Sequence, residues 1–196
     1  MFVDFLRFQP EECELLEGFD FFVVFNSKNL VRASTTSELQ KQLKKAKGFV
    51  GVMSDNVKVN REAIMRRKVN AILDFENRAL DYTSIKMAKE KDVVIEVSLA
   101  KFLRTKSFKR SKLLEETRLL LKLLLKFETP FLLTTGANCC LEARPRKQVY
   151  RFFSFLAKDS GIDSEKLIKL AKKNSYRIYR MLNDENYIMD GVEVLK

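Results

Sequence analysis

An α/β protein built on a parallel sheet is what three features of the sequence predict. Short apolar runs of strand length recur along the chain, amphipathic helical segments separate them, and several runs are apolar on both faces, as strands covered by helices on each side must be. Such alternation implies parallel pairing through right-handed crossovers.

The elements follow in order. Strand-like runs lie at residues 2–6, 19–25, 49–53, 70–76, 93–99 and 131–135. Between the first two, Pro10, the acids beside it and Gly18 as a stop predict a helix. Ser37 with Gln40 matches a capping box; Leu39, Leu43 and Ala46 then share a face and Gly48 ends the segment. Asp81 caps a helix carrying Ile85 and Ala88. A Leu-rich helix follows over 111–127, in which Glu115, Arg118, Lys122 and Lys126 form one narrow polar stripe. Its apolar arc is wider than one packing contact needs, which fits either burial between neighbouring helices or a second docking surface. Pro145 opens a helix with Val149, Phe152, Phe153 and Leu156 on one side. Asp163 caps the last, with Leu167, Leu170, Ala171 and Ile178 inward.

Six strands are fewer than the eight of a full barrel. No GxGxxG or GxxxxGK[ST] follows any of them, so nucleotide-binding open sheets lose weight against a barrel. With no repeat or linker, one domain over 1–196 is expected, its C-terminal part (about 159–196) helical.

Composition narrows the function. The 37 Lys and Arg against 26 Asp and Glu leave a formal charge of +11, which attracts polyanions. There is no histidine, which removes His-dependent triads and His-ligated metal sites and leaves Asp/Glu magnesium chemistry open. Cys13, Cys139 and Cys140 make a poor disulfide framework and no CxxC metal spacing. The amino terminus does not read as a signal peptide, and no apolar run approaches the ~20 residues of a membrane span, so a reducing cytoplasm is the expected setting.

The positive charge is clustered. The segment 101–112, KFLRTKSFKRSK, holds Lys101, Arg104, Lys106, Lys109, Arg110 and Lys112 with no acid, and follows one strand. Arg144, Arg146, Lys147 and Arg151 follow another. Loops after parallel strands emerge on one face, where ligands bind, and Arg61 and Arg78 approach the same rim. Cations gathered on one rim suit a phosphate backbone, and Phe102 or Phe108 could stack on unpaired bases. Strand carboxylates Asp4, Asp74, Glu76 and Glu96 admit a rival reading. Asp74 and Glu76 share one face and Glu96 shares its face with Ser98, so they could hold Mg²⁺ as a small phosphoesterase would, or be neutralised by inward Lys or Arg.

The stretch 49–181 resembles protein component 3 of archaeal and eukaryotic ribonuclease P. The similarity is carried by VGVMSDNVKVNREAIMRRKVNAILDFENR, DYTSIKMAKEKDVVIEVSLAKFL, SFKRSKLLEETRLLLKLLLKF and, most specifically, LLTTGANCCLEARPRKQVYRFFSFLAKDSGI, with Thr134–Ala137, Arg144–Pro145 and Gly161 as its marks. Asn174-Ser175 stands where the family commonly has Asn-Pro. The resemblance implies a TIM-like (βα) barrel related to the polymerase/histidinol-phosphatase barrel. Here it is shortened or incomplete, because 25–49 leaves room for only one helix. It also implies a non-catalytic subunit, in a complex whose RNA removes the 5′ leader of precursor tRNA using Mg²⁺, with no cofactor held by the protein. Its implied partners are ribonuclease P RNA, precursor tRNA, protein component 2 in a two-plus-two heterotetramer and other ribonuclease P proteins. Arg61, Arg78, Lys91 and Arg144 match basic positions expected to touch RNA, and Arg78→Ala or Arg144→Ala is expected to weaken RNA binding without lowering thermal stability.

Overall fold

The computed structural model describes all residues except 12, 17–18, 76, 185–186, 190–191 and 194–196. Strands β1 (Val3–Leu6) and β2 (Phe21–Val24) pair in parallel. Strands β3 (Leu30–Arg32), β4 (Gly51–Met53), β5 (Ala71–Ile72), β6 (Val94–Ser98) and β7 (Phe131–Thr134) form a second parallel sheet in that order. β1 lies beside β7, where Arg7 N–H donates to the Ala137 carbonyl at 2.9 Å and Thr135 N–H to the Asp4 carboxylate at 2.7 Å. The arrangement is a mixed α/β fold with a parallel sheet and helices around it, consistent with a βα barrel.

Side-chain alternation separates an interior from an exterior. Along β6, Val94 joins the interior cluster with Phe5, Phe25, Leu73 and Leu132. Ile95 and Val97 face the opposite way, into the larger layer beneath the helices. That layer is closed by α1 (Thr36–Lys45), α2 (Val57–Ile64), α3 (Tyr82–Glu90), α5 (Ser107–Phe127), α6 (Arg146–Lys158) and α7 (Ser164–Asn183), with the short α4 (Ala100–Arg104) leading into α5. Glu96 and Ser98 of β6 share the interior side of Val94. The interior is therefore apolar at the starts of the strands and polar at their ends.

Several expectations hold. Asp81 and Asp163 accept the N-terminal amides of α3 and α7. Pro145 stands at the N-cap of α6.

Other expectations are corrected. The helix expected after Pro10 is a single 3-10 turn, Glu14–Leu16, built from i→i+3 bonds; Gly18, its expected stop, lies outside the described residues. The first capping box is Thr35 with Glu38, not Ser37 with Gln40: Glu38 N–H donates to Thr35 Oγ1, and the Glu38 carboxylate accepts from Ser34 N–H at 2.9 Å. The interval 25–49 holds a strand, β3, as well as α1; three residues, LVR, are too few to show a period. The run at 70–76 pairs only over Ala71–Ile72, because Asp74 N–H leaves the ladder and donates to the Glu96 carboxylate at 2.7 Å. The segment 101–112 is mostly helical rather than a loop, and the chain past Asn183 pairs as antiparallel β8 (Tyr187–Met189) and β9 (Val192–Glu193). Cys13 and Cys140 form a disulfide despite the unpromising count, tying the N-terminal segment to the loop after β7; Cys139 is free and exposed. Among the described residues no helix is long and apolar enough to cross a membrane.

Candidate nucleic-acid interface

The polar end of the interior is built around Asp74, just past β5. It is buried and accepts from Arg78 Nη2 at 2.9 Å, Lys101 Nζ at 3.0 Å, Ser98 N–H at 3.1 Å and Ser98 Oγ at 3.2 Å. Burial works to raise its pKa, but the charges of Arg78 and Lys101 overcome this and hold the carboxyl well below its ordinary range. Lys101 is lowered by its own burial, against the pull of Asp74. Glu96 takes the next position. Besides Asp74 N–H it accepts from Thr134 Oγ1 at 2.8 Å and pairs with the Arg7 guanidinium, itself buried. Asp4, on β1, is satisfied by Thr135 through both backbone and hydroxyl, yet burial pushes its pKa up to about 7.

The turn after β7 closes this floor. Gly136 has φ +59°, and a Cβ there would stand 2.4 Å from Ser98 Cβ and 3.1 Å from Arg7 Nη1, so only glycine lets the turn lie against the network. Among the described residues no group of three His, Cys, Asp or Glu is placed to hold a metal ion. Glu76, one of the carboxylates in the magnesium reading, lies outside the described residues. Asp74 and Glu96 face Lys and Arg donors instead.

Above this floor opens a cleft of about 840 Å³, lined at the strand ends by Arg32, Met53, Ser98 and Asn138 and on the far side by α4 and the start of α5. Its mouth is basic: Arg104, Lys106, Lys109 and Lys112 line it alongside Arg32. A parallel sheet brings these residues together, because every strand end opens toward the same side.

A scan against protein-family models finds no match for this chain. Among curated proteins it is 44% identical over 198 residues to ribonuclease P protein component 3 of Archaeoglobus fulgidus, covering 97% of this chain and 94% of that protein. The chain belongs to the ribonuclease P protein component 3 family. The component 3 proteins of Methanococcus maripaludis (strain S2) and Methanosarcina mazei are each 25% identical, covering 85% and 95% of this chain and 73% and 79% of theirs. A chain of the cryo-EM structure of archaeal ribonuclease P with mature tRNA shares the fold, with a TM-score of 0.74 at 19% identity, over 99% of this chain and 98% of that one.

The basic positions singled out by the component 3 resemblance and by charge clustering separate into groups. Arg104, Lys106 and Lys109 line the cleft; Arg104 also reaches Glu142 at 3.2 Å. Arg78 and Lys101 also border it, but their side chains are only 6% and 5% exposed and are bound to Asp74, so they build the floor rather than present charge to solvent. Arg110 is exposed beside the mouth, its Nε donating to the Thr105 carbonyl at 2.7 Å. Arg144, Arg146 and Lys147 follow β7 at the same end of the sheet. Arg144 donates to the Leu141 and Ala143 carbonyls of its own loop, and Arg146 pairs with Asp20 at 2.8 Å. Arg61 is half-exposed on α2 and pairs with Asp81. Lys91 does not join them: it is the C-cap of α3, ahead of β6, and so lies at the opposite end of the strands. Phe102 is buried against Phe152, and Phe108, though exposed, does not line the cleft. The aromatic ring that does is Phe75. Arg32 and Phe75 escaped the sequence reading because β3 was not recognised and because Phe75 sat inside an expected strand.

Proposed function

We infer that this chain is a protein subunit of ribonuclease P that binds and supports the catalytic RNA removing the 5′ leader from precursor tRNA, and that it performs no chemistry itself. The observation that carries the reading is the pairing of a solvent-facing basic cleft with a floor whose carboxylates are committed to Arg and Lys. Cations at the mouth attract phosphate, while Asp74 and Glu96 are spent on internal ion pairs. The Mg²⁺ of the reaction then belongs to the RNA. The structural relative was solved as archaeal ribonuclease P with mature tRNA, which supports association with RNA, tRNA and other subunits of that assembly.

The finer reading follows the family resemblance: a two-plus-two assembly with protein component 2, an incomplete TIM-like barrel related to the polymerase/histidinol-phosphatase barrel, and a cytoplasmic setting. Reconstitution tests it. Adding this protein with its partner to ribonuclease P RNA at low Mg²⁺ should restore leader removal, while the protein alone hydrolyses nothing. RNA affinity should fall with salt on a log–log slope of roughly −4 to −5, for about six phosphate contacts. Turnover by the protein alone, lost on Asp74→Asn, would instead identify a phosphoesterase.

A further inference from the structure

The cleft is more than a charged surface. Its volume of about 840 Å³ falls within the ~300–1,000 Å³ range of small-ligand sites and is ample for a nucleotide. Its lining changes character with position. Phe75 and Met53 supply an aromatic ring and a thioether, and Asn77 and Asn138 supply side-chain amides able both to donate and to accept. Lys106 and Lys109 are exposed at the opening and carry no acidic partner among the described residues. An intact A-form duplex offers phosphates and 2′-hydroxyls along a convex surface and keeps its base faces stacked, so it has no flat face to set against the partly buried ring of Phe75. An unpaired nucleotide offers a flat base with hydrogen-bonding edges between two phosphates, and each of those groups has a counterpart here.

We propose that this cleft holds one unpaired nucleotide of the bound RNA, with its base against Phe75 and Met53, its edge toward the amides of Asn77 and Asn138, and its flanking phosphates on Lys106, Lys109 and Arg32. The proposal rests on the reading of this face as the one that meets RNA, and adds to it that the face discriminates unpaired from paired strands. A free nucleoside monophosphate shares the base and one phosphate but lacks the flanking backbone.

The full-length protein is titrated by fluorescence anisotropy into two labelled RNA hairpins with the same stem, one uninterrupted and one carrying a single-nucleotide bulge. Wild type should prefer the bulged hairpin. Phe75→Leu, which keeps most of the apolar volume of a partly buried position, should weaken the bulged complex about tenfold and leave the uninterrupted one unchanged. Asn138→Ala, at an exposed position that does not enter the core, should shift the same preference in the same direction. Lys106→Ala with Lys109→Ala should weaken both complexes. Adenosine monophosphate should bind far more weakly than the bulged hairpin; equal or tighter binding of the free nucleotide would overturn the assignment to RNA. Wild-type affinity of both Phe75→Leu and Asn138→Ala for the bulged hairpin would sink the pocket while leaving the basic rim intact. Wild-type affinity of the double lysine variant for both hairpins would remove the RNA face itself.

Discussion

Arg78 donates through Nη2 to Asp74 and through Nη1 to Thr117 Oγ1, at 2.9 Å each, with almost no surface of its own. This reverses the expectation that Arg78→Ala is thermally silent. Truncation strands a buried carboxylate with Lys101 as its single cation, and removing one partner of a buried pair costs about 3–5 kcal/mol. Thermal melts should therefore show a large drop for Arg78→Ala and little change for Arg144→Ala, whose partners are carbonyls of its own surface loop. Asp4 yields a pH prediction of definite sign. Its folded pKa of about 7 lies above the ordinary carboxyl value of 3.8, so the folded state holds a proton that the unfolded chain has released. Between roughly pH 4 and 7 stability falls as pH rises, and the penalty is complete above the folded value. Asp4→Asn cannot ionise and can still accept from Thr135 N–H. Its melting temperature should overtake that of wild type by several degrees, roughly, as pH climbs from 5 to 8, and a constant difference across that range would refute the assignment.

At the scale of elements, α5 settles the question left by its wide apolar arc. It packs between α3 and α6, and Leu113, Leu120, Leu121 and Leu124 are buried in the main core. Only Leu119, 59% exposed, stands clearly outside that packing among its leucines. The width of the arc thus reflects two flanking helices rather than an unused docking face. Leu121→Ala should cost about 2–5 kcal/mol by denaturant titration, and Leu119→Ala well under 1 kcal/mol. The same helix explains the basic run before it. The break between α4 and α5 turns KFLRTKSFKRSK into two helical pieces, sending Lys101 down to Asp74 and leaving Lys106 and Lys109 at the cleft mouth.

For the whole molecule, the Cys13–Cys140 bond spans a sequence separation of 127 and joins the segment after β1 to the loop after β7. In the chain-entropy account, closing so long a loop stabilises by up to about 5 kcal/mol. A reducing agent should lower the melting temperature of wild type, Cys13→Ser should show the lowered value under both conditions, and a wild-type melt indifferent to reductant would mean that the bond is not formed. The net charge of +11 acts at this scale too, because it attracts polyanions to the molecule as a whole rather than to any one residue.

The sequence by itself determined the parallel α/β plan, most helices, the caps of α3 and α7, the clustering of positive charge after two strands and the family resemblance. These are local properties, set by periodicity, capping chemistry and composition within a few residues. Tertiary structure alone decided which charges are spent and which remain. Lys101 and Lys106 are indistinguishable in the run 101–112, but the fold brings Asp74 beneath one and solvent over the other. It likewise brought Arg7 to Glu96 across 89 residues, Cys13 to Cys140, and Arg32 to the cleft on a strand too short to announce itself. The Lys101–Asp74 and Arg7–Glu96 pairs depend on distances between segments remote in the chain, and no local pattern encodes those distances.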